Sequence, residues 1–232
     1  MIDIYADGAD LDVIKIYNKN PLIKGFTTNP TLMKKAGIRD YKSFALRAID
    51  IVKDKPISFE VFADDFSEME KQAIEISSWS ENINVKIPIT NTKGKSSIDL
   101  IKSLVKQKIK LNITAIMTDN QIEDLSKVLS PEIFSITSVF CGRIADTGID
   151  PVPICKKYSE VLQGTNTNLL WASPREVLNI VHAESCGCKI ITVTDDILKK
   201  MNLFGKSLEE FSLETVKMFY DDAKDSGFSL SN

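Results

Sequence analysis

Residues 83–89 read Ile83-Asn84-Val85-Lys86-Ile87-Pro88-Ile89, a short run dense in β-branched aliphatics with one charge in its middle. Such a run predicts a strand buried on both faces, and strands of that kind belong to parallel sheets covered by helices. Lys86 is then a cation placed inside an apolar strand. Burying an ammonium is costly, so the residue needs a partner, a route to water, or a chemical use for its neutral amine.

Outward from this stretch the alternation of short strands and amphipathic helices repeats. Strands are predicted at Ile2–Ala6, Leu22–Phe26, Ile57–Phe62, Ile83–Ile87, Lys108–Ile113, Ile133–Val139, Asn168–Trp171 and Lys189–Val193. Helices are predicted at Asp10–Asn18, Tyr41–Lys53, Ser67–Ser78, Ser96–Lys106, Asp119–Val128, Val152–Leu162, Pro174–Glu184, Asp195–Met201 and Ser207–Ser226. Ser67 and Asp119 read as N-caps, the first with Glu70 three residues on, and Pro174 suits a first helical turn. Eight strands alternating with helices in 232 residues predict an α/β fold. The expected form is a closed (β/α)8 TIM barrel, one domain over residues 1–232, with 206–232 as an extra C-terminal helix and tail. An open doubly wound sheet competes, but the turn after the first strand, Asp7-Gly8-Ala9-Asp10, lacks the G-x-G-x-x-G pattern.

The composition, 43% apolar and 26% charged, is that of a globular protein. A net charge of −3 gives no basic surface for nucleic acid, and no run approaches the length of a membrane span. Neither is expected as a partner, so an anionic ligand must be held by a few placed groups. Cys141, Cys155, Cys186 and Cys188 show no secretory spacing, which points to reduced thiols and a cytoplasmic protein. No metal is expected, since the lone His182 falls mid-helix and no C-x-x-C pair accompanies Cys186 and Cys188. That same lone histidine disfavours a Ser-His-Asp hydrolase. Gly94-Lys95-Ser96 fails as a P-loop because Ile89 stands at the first glycine position.

In a barrel of this type the reactive groups gather at the C-terminal ends of the strands. Those positions hold Asp7, Thr28, Asn29, Glu60, Lys86, Asn112, Thr114, Ser138, Arg143, Ser173 and Arg175. A neutral Lys86 amine in an enclosed pocket is a nucleophile for a ketone; the bland reading is a lysine snorkelling to the rim or paired with a structural acid. Glu60 and Asp7 suit proton transfer through a held water, while Glu60 is equally read as the structural partner of Lys86. Asn112 and Thr114 share a strand face and either orient hydroxyls or cap a turn. Arg143 and Arg175 match phosphate oxygens, and Ser173 with the helix start at Pro174 adds a hydroxyl and backbone donors; alone, each arginine is more often a surface ion pair, and the pair in this order on a barrel favours the phosphate reading.

Five segments resemble, in order, the motifs of the transaldolase family: Thr27-Thr28-Asn29-Pro30, Asn84-Val85-Lys86-Ile87-Pro88, Asn112-Ile113-Thr114, Ser138-Val139-Phe140-Cys141-Gly142-Arg143-Ile144 and Ala172-Ser173-Pro174-Arg175. The length resembles the short subfamily that also holds fructose-6-phosphate aldolases. The resemblance implies that Lys86 forms a Schiff base and that Asp7, Glu60 and Thr114 handle protons with a water. It implies that Asn29, Asn112 and Ser138 contact a dihydroxyacetone unit, and that Arg143, Ser173 and Arg175 bind phosphate. Glu60 and Phe140 stand where the transferases, rather than the aldolases, carry glutamate and phenylalanine. Val139, Pro174 and Asp7-Gly8 depart from the common pattern, and the departures bear on acceptor preference rather than on the lysine. The expectation is transfer between sugar phosphates without a cofactor. By the same resemblance the apolar final helix, with Leu208, Phe211, Leu213, Val216, Phe219 and Tyr220, reaches a neighbouring subunit in a homo-oligomer, a pentamer or decamer; its bland alternative is packing on its own barrel.

Overall fold

In the computed structural model, which describes residues 2–230, eight parallel strands close into a barrel in sequence order. The strands are β1 (Asp3–Asp7), β2 (Ile23–Thr27), β3 (Ile57–Glu60), β4 (Ile83–Pro88), β5 (Leu111–Ile116), β6 (Ser135–Val139), β7 (Thr167–Trp171) and β8 (Ile190–Thr194). Between them run α1 (Leu11–Asn18), α2 (Pro30–Lys35), α3 (Tyr41–Val52), α4 (Phe66–Ser77), α5 (Ile98–Lys106) and α6 (Asp119–Ser126). Then follow α7 (Cys141–Ala145), α8 (Pro151–Val161), α9 (Asn179–Ser185) and α10 (Asp195–Leu198). The chain divides into two compact units, one ending at Leu198 and holding the barrel, the other beginning at Lys199. The second unit consists of a 3-10 turn (Lys199–Leu203) and α11 (Leu208–Asp225). No helix among the described residues is long and apolar enough to cross a membrane.

The strand that decided the fold behaves as expected. Ile83, Val85 and Ile87 are buried on one face of β4, and Asn84 and Lys86 are buried on the other. Val85, Ile87, Leu111 and Ile113 are fully buried, and each such side chain contributes roughly 1.5–3 kcal/mol from burial. Tyr5, Ile136, Leu170 and Ile190 pack together from four strands. Gly25 makes room for Tyr5, because a Cβ there would stand 2.6 Å from the ring.

Two short helices, α2 and α7, are absent from the sequence reading, and the other differences from it lie at element ends. Helix α4 is capped by Asp65, and Ser67, inside the first turn, donates to that carboxylate. Helix α6 is capped by Thr118 in a capping box with Gln121, so Asp119 is its first residue. Strand β3 stops at Glu60 because the N–H groups of Phe62 and Ala63 turn to Gln72 Oε1, at 2.9 and 3.0 Å. Strand β5 begins later than predicted. Lys108 sits at φ 61, and the bonds Lys108 N–H to Val105 O and Ile109 N–H to Leu104 O close α5 in a Schellman turn. Pro174 lies in a loop, and the helix begins at Asn179.

Candidate active site

Residues in register on neighbouring parallel strands stand side by side on one face. Glu60 of β3 is in register with Lys86 of β4, and Lys86 with Asn112 of β5, so the three form a row. Asp7 and Thr27 form the corresponding pair on β1 and β2. All five line a cavity of ≈ 660 Å³, together with Asn29, Thr114, Ser138 and Thr192. That size suits a small organic ligand.

The Lys86 side chain is 8% exposed, and its Nζ lies 3.1 Å from Glu60 Oε2. Nζ also donates to the carbonyl of Thr28 at 2.9 Å. The predicted rival role of Glu60 is therefore present in the resting structure: it pairs with the lysine while both face the cavity. Thr28 moves from a predicted ligand contact to a support. Its hydroxyl donates to Ser58 O at 2.9 Å, it is fully buried, and it does not line the cavity. The Glu60 carbonyl accepts the Tyr41 hydroxyl at 2.6 Å, and the Tyr41 ring packs against Phe59 and Trp79.

Asp7 Oδ1 accepts the Thr27 hydroxyl at 2.7 Å, and Thr27 shares a short hydrogen bond with Thr192. Burial pushes the Asp7 carboxyl above its usual range, and the Lys86 charge and the Thr27 hydroxyl oppose that rise. Asn29 has two tasks. Its Oδ1 accepts the Leu32 N–H at 2.9 Å and caps α2, and its Nδ2 faces Asp7 Oδ2 at 3.5 Å.

Asn112 is fixed at both ends of its amide: Ser138 Oγ donates to Oδ1 at 2.6 Å, and Nδ2 donates to Ser58 Oγ at 3.0 Å. These strand-to-strand bonds replace the turn-capping alternative for Asn112. Thr114 Oγ1 is buried and finds no partner among the described residues. A buried hydroxyl of that kind, facing a cavity, is a docking point for water or a ligand oxygen. Beside it Ala115 sits at φ 64, where the β5–β6 register shifts, a bulge that re-aims the strand end.

Phe140, Arg143, Ser173 and Arg175 also line the cavity. Phe140 precedes α7 and Arg143 lies within it, exposed and without an ion pair among the described residues. Arg175 is engaged by Asp146, with Nε 3.1 Å from Oδ1 and a second contact from its terminal nitrogen. Ser173 holds φ 60. A Cβ on Gly142 would stand 1.5 Å from Ser173 O, so α7 and the loop after β7 interlock at that glycine. No helix begins at Pro174, so the predicted backbone donors of a helix N-terminus are not there.

Sequence reading missed Thr27, Thr192 and Lys35, which line the cavity, and Ser58 and Asp146, which hold Asn112 and Arg175. Thr27 carried a signal, since it adjoins the predicted end of β2. Lys35 closes α2, a helix too short to show a period.

A closed (β/α)8 barrel whose strand ends gather a paired lysine, carboxylates, fixed amides and rim arginines has the build of a barrel enzyme for small polar substrates. Residues 4–230 match the model of the Transaldolase/Fructose-6-phosphate aldolase family, and the chain belongs to that family of enzymes. A protein named probable transaldolase from Dehalococcoides mccartyi is 34% identical over 85% of this chain and 89% of its own. One of the same name from Methanococcus maripaludis is 34% identical over 90% of this chain and 93% of its own. A third, from Streptococcus agalactiae, is 32% identical over 95% and 98%. Among solved structures, KGPDC from Streptococcus mutans superposes with a TM-score of 0.58 at 10% identity, over 86% of this chain and 90% of that one, a likeness of fold alone.

Proposed function

We propose that the protein is a transaldolase, moving a dihydroxyacetone unit between sugar phosphates through a Schiff base on Lys86. The observation that carries this reading is the buried Lys86 amine, at the cavity and 3.1 Å from Glu60. Glu60 is placed to take the ammonium proton, which frees the lone pair. Lys86 Nζ attacks the ketone carbon of a ketose phosphate, and loss of water from the carbinolamine gives an iminium. Asp7 takes the proton of the C4 hydroxyl, the C3–C4 bond breaks, and its electron pair moves into the iminium to leave an enamine. An aldose phosphate departs. The enamine then attacks an acceptor aldehyde, whose oxygen recovers the proton from Asp7. Hydrolysis, with water held by Thr114 and Glu60, releases the new ketose and Lys86. Asn29, Asn112 and Ser138 hold the three-carbon unit, and Arg143, Ser173 and Arg175 hold phosphate. The iminium polarises the bond, so no cofactor enters.

The full reaction is sedoheptulose 7-phosphate plus glyceraldehyde 3-phosphate giving erythrose 4-phosphate plus fructose 6-phosphate, a step of the cytoplasmic pentose phosphate pathway. Borohydride reduction in the presence of fructose 6-phosphate, followed by peptide mapping, should place the adduct on Lys86; another lysine would overturn the assignment. Consumption of fructose 6-phosphate should require an aldose phosphate acceptor. Equal turnover without one assigns the chain to aldol cleavage, and binding without an adduct assigns it to a sugar-phosphate-binding barrel.

A further inference from the structure

All four cysteines of the chain are buried and free, and they come from separate segments. Cys141 opens α7, Cys155 lies in α8, and Cys186 and Cys188 flank Gly187 between α9 and β8. The Sγ atoms of Cys141 and Cys155 are 3.2 Å apart, and those of Cys186 and Cys188 are 3.7 Å apart. The sulfurs of Cys155, Cys186 and Cys188 all lie within 4.8 Å of one another. None of the four lines the cavity described above.

Thiols used only as small apolar fillers have no reason to gather three sulfurs this closely. A tetrahedral ion with metal–sulfur bonds near 2.3 Å sets its sulfurs about 3.8 Å apart. The Cys186–Cys188 separation already matches that spacing. Cys141 stands outside that group of three and touches it at Cys155, so as a fourth ligand its Sγ must turn toward Cys186 and Cys188 on binding. The turn between Cys186 and Cys188 is the Schellman end of α9: the N–H groups of Gly187 and Cys188 reach Glu184 O and Ala183 O, and Gly187 holds φ +88.

We propose that Cys141, Cys155, Cys186 and Cys188 form a structural tetrathiolate site for a zinc-class divalent ion. An all-sulfur donor set selects a soft or borderline metal over magnesium or calcium, and four protein ligands leave no position open for catalysis. Binding exchanges four thiol protons for one ion and leaves a tetrathiolate of net charge −2. The ion ties α7 to α8 and to the turn that enters β8. Cys141 adjoins Gly142 and Arg143, so the tie braces the segment that interlocks with Ser173 and presents Arg143 to the cavity.

The test uses the reduced, metal-free full chain, titrated without oxygen with Zn2+ and with Co2+. One equivalent of Co2+ should give thiolate-to-metal charge-transfer absorption and tetrahedral d–d bands, both abolished by Zn2+. Zinc should slow alkylation of the cysteines at least about 10-fold and raise Tm by about 5–10 °C at 100-fold excess over Kd. Cys188→Ser should weaken the ion by more than the roughly 10–100-fold that loss of a supporting contact costs. A chain that gives no charge-transfer band and no thiol protection at excess metal overturns the proposal. So does a Cys141–Cys155 disulfide that forms equally fast with or without zinc, which would assign the cluster to redox chemistry.

Discussion

Breaking the Lys86–Glu60 pair from each side should give very different stabilities. At 3.1 Å, two unit charges attract by about 5 kcal/mol at an effective dielectric constant near 20. Desolvating each ion costs several kcal/mol, so the intact pair is close to neutral in net stability. Removing one partner strands the other. The Lys86 side chain is 8% exposed, so Glu60→Gln leaves a buried ammonium bonded to the Thr28 carbonyl, with Asp7 as the acid that still acts on it, and should cost about 3 kcal/mol. Glu60 is 19% exposed and borders the cavity. Water or protonation can relieve it in Lys86→Met, for a loss of about 1–2 kcal/mol. The double variant replaces two charges by neutral groups of similar size and should lie within about 1 kcal/mol of the parent. Urea unfolding at one fixed protein concentration, compared at constant slope, gives the cycle. A coupling of about 4–5 kcal/mol is expected. A coupling below about 0.5 kcal/mol, or a Glu60→Gln chain as stable as the parent, would refute the claim that this lysine is a buried, paired charge.

Asp7→Asn should gain stability over the parent as pH rises. Burial raises the folded-state pKa of Asp7, so the native state holds its proton more tightly than the unfolded chain. The associated stability is complete below the unfolded value of about 3.9 and is lost as pH climbs through the folded one. The Tm difference between variant and parent should widen from pH 4 upward, while transferase activity falls about 100-fold or more; a difference that narrows with pH contradicts the sign. Gly142→Ala places a methyl 1.5 Å from Ser173 O. That oxygen must retreat roughly 1.5–2 Å, at a cost of about 1–3 kcal/mol. Ser173 and Arg175 should retreat with it, so KM for a phosphorylated ketose should rise while the borohydride adduct still forms on Lys86; an unchanged KM would separate that loop from phosphate binding. Light scattering should report a homo-oligomer of the 25.9 kDa chain, a pentamer or decamer. Helix α11 shares its unit with a 3-10 turn, and that unit by itself holds no buried apolar residue of the helix. A monomer would count against that reading.

What the sequence revealed of this protein follows the distance over which each feature is encoded. Strand β4 is legible in seven consecutive residues, and its repetition with helices suffices for a closed barrel. The row Glu60, Lys86 and Asn112 is legible too, because each is a polar residue set among the apolar residues of a strand and parallel register does the rest. Helices α2 and α7, of six and five residues, are too short to leave a 3.6-residue signature. The start of β5 is hidden because a lysine, Lys108, takes the left-handed position where glycine is the usual signal.

The contacts that finish the site join segments far apart in the chain, and no local pattern announces them. Gly142 against Ser173, Arg175 against Asp146, and Cys155 against Cys186 and Cys188 are of this kind. The exchange of Thr27 for Thr28 shows how narrow the margin is. Adjacent residues of a strand face opposite ways, so placing the end of β2 at Phe26 instead of Thr27 leaves the wrong threonine as the candidate. Register decides it: Thr27 aligns with Asp7 and shares its cavity, which turns Thr28 back into the sheet, where its hydroxyl meets Ser58 and its carbonyl is left for Lys86. Thr28 thus supports the lysine through its backbone. A side-chain change there should disturb packing before it disturbs chemistry, whereas loss of the Thr27 hydroxyl removes a hydrogen bond from Asp7 itself.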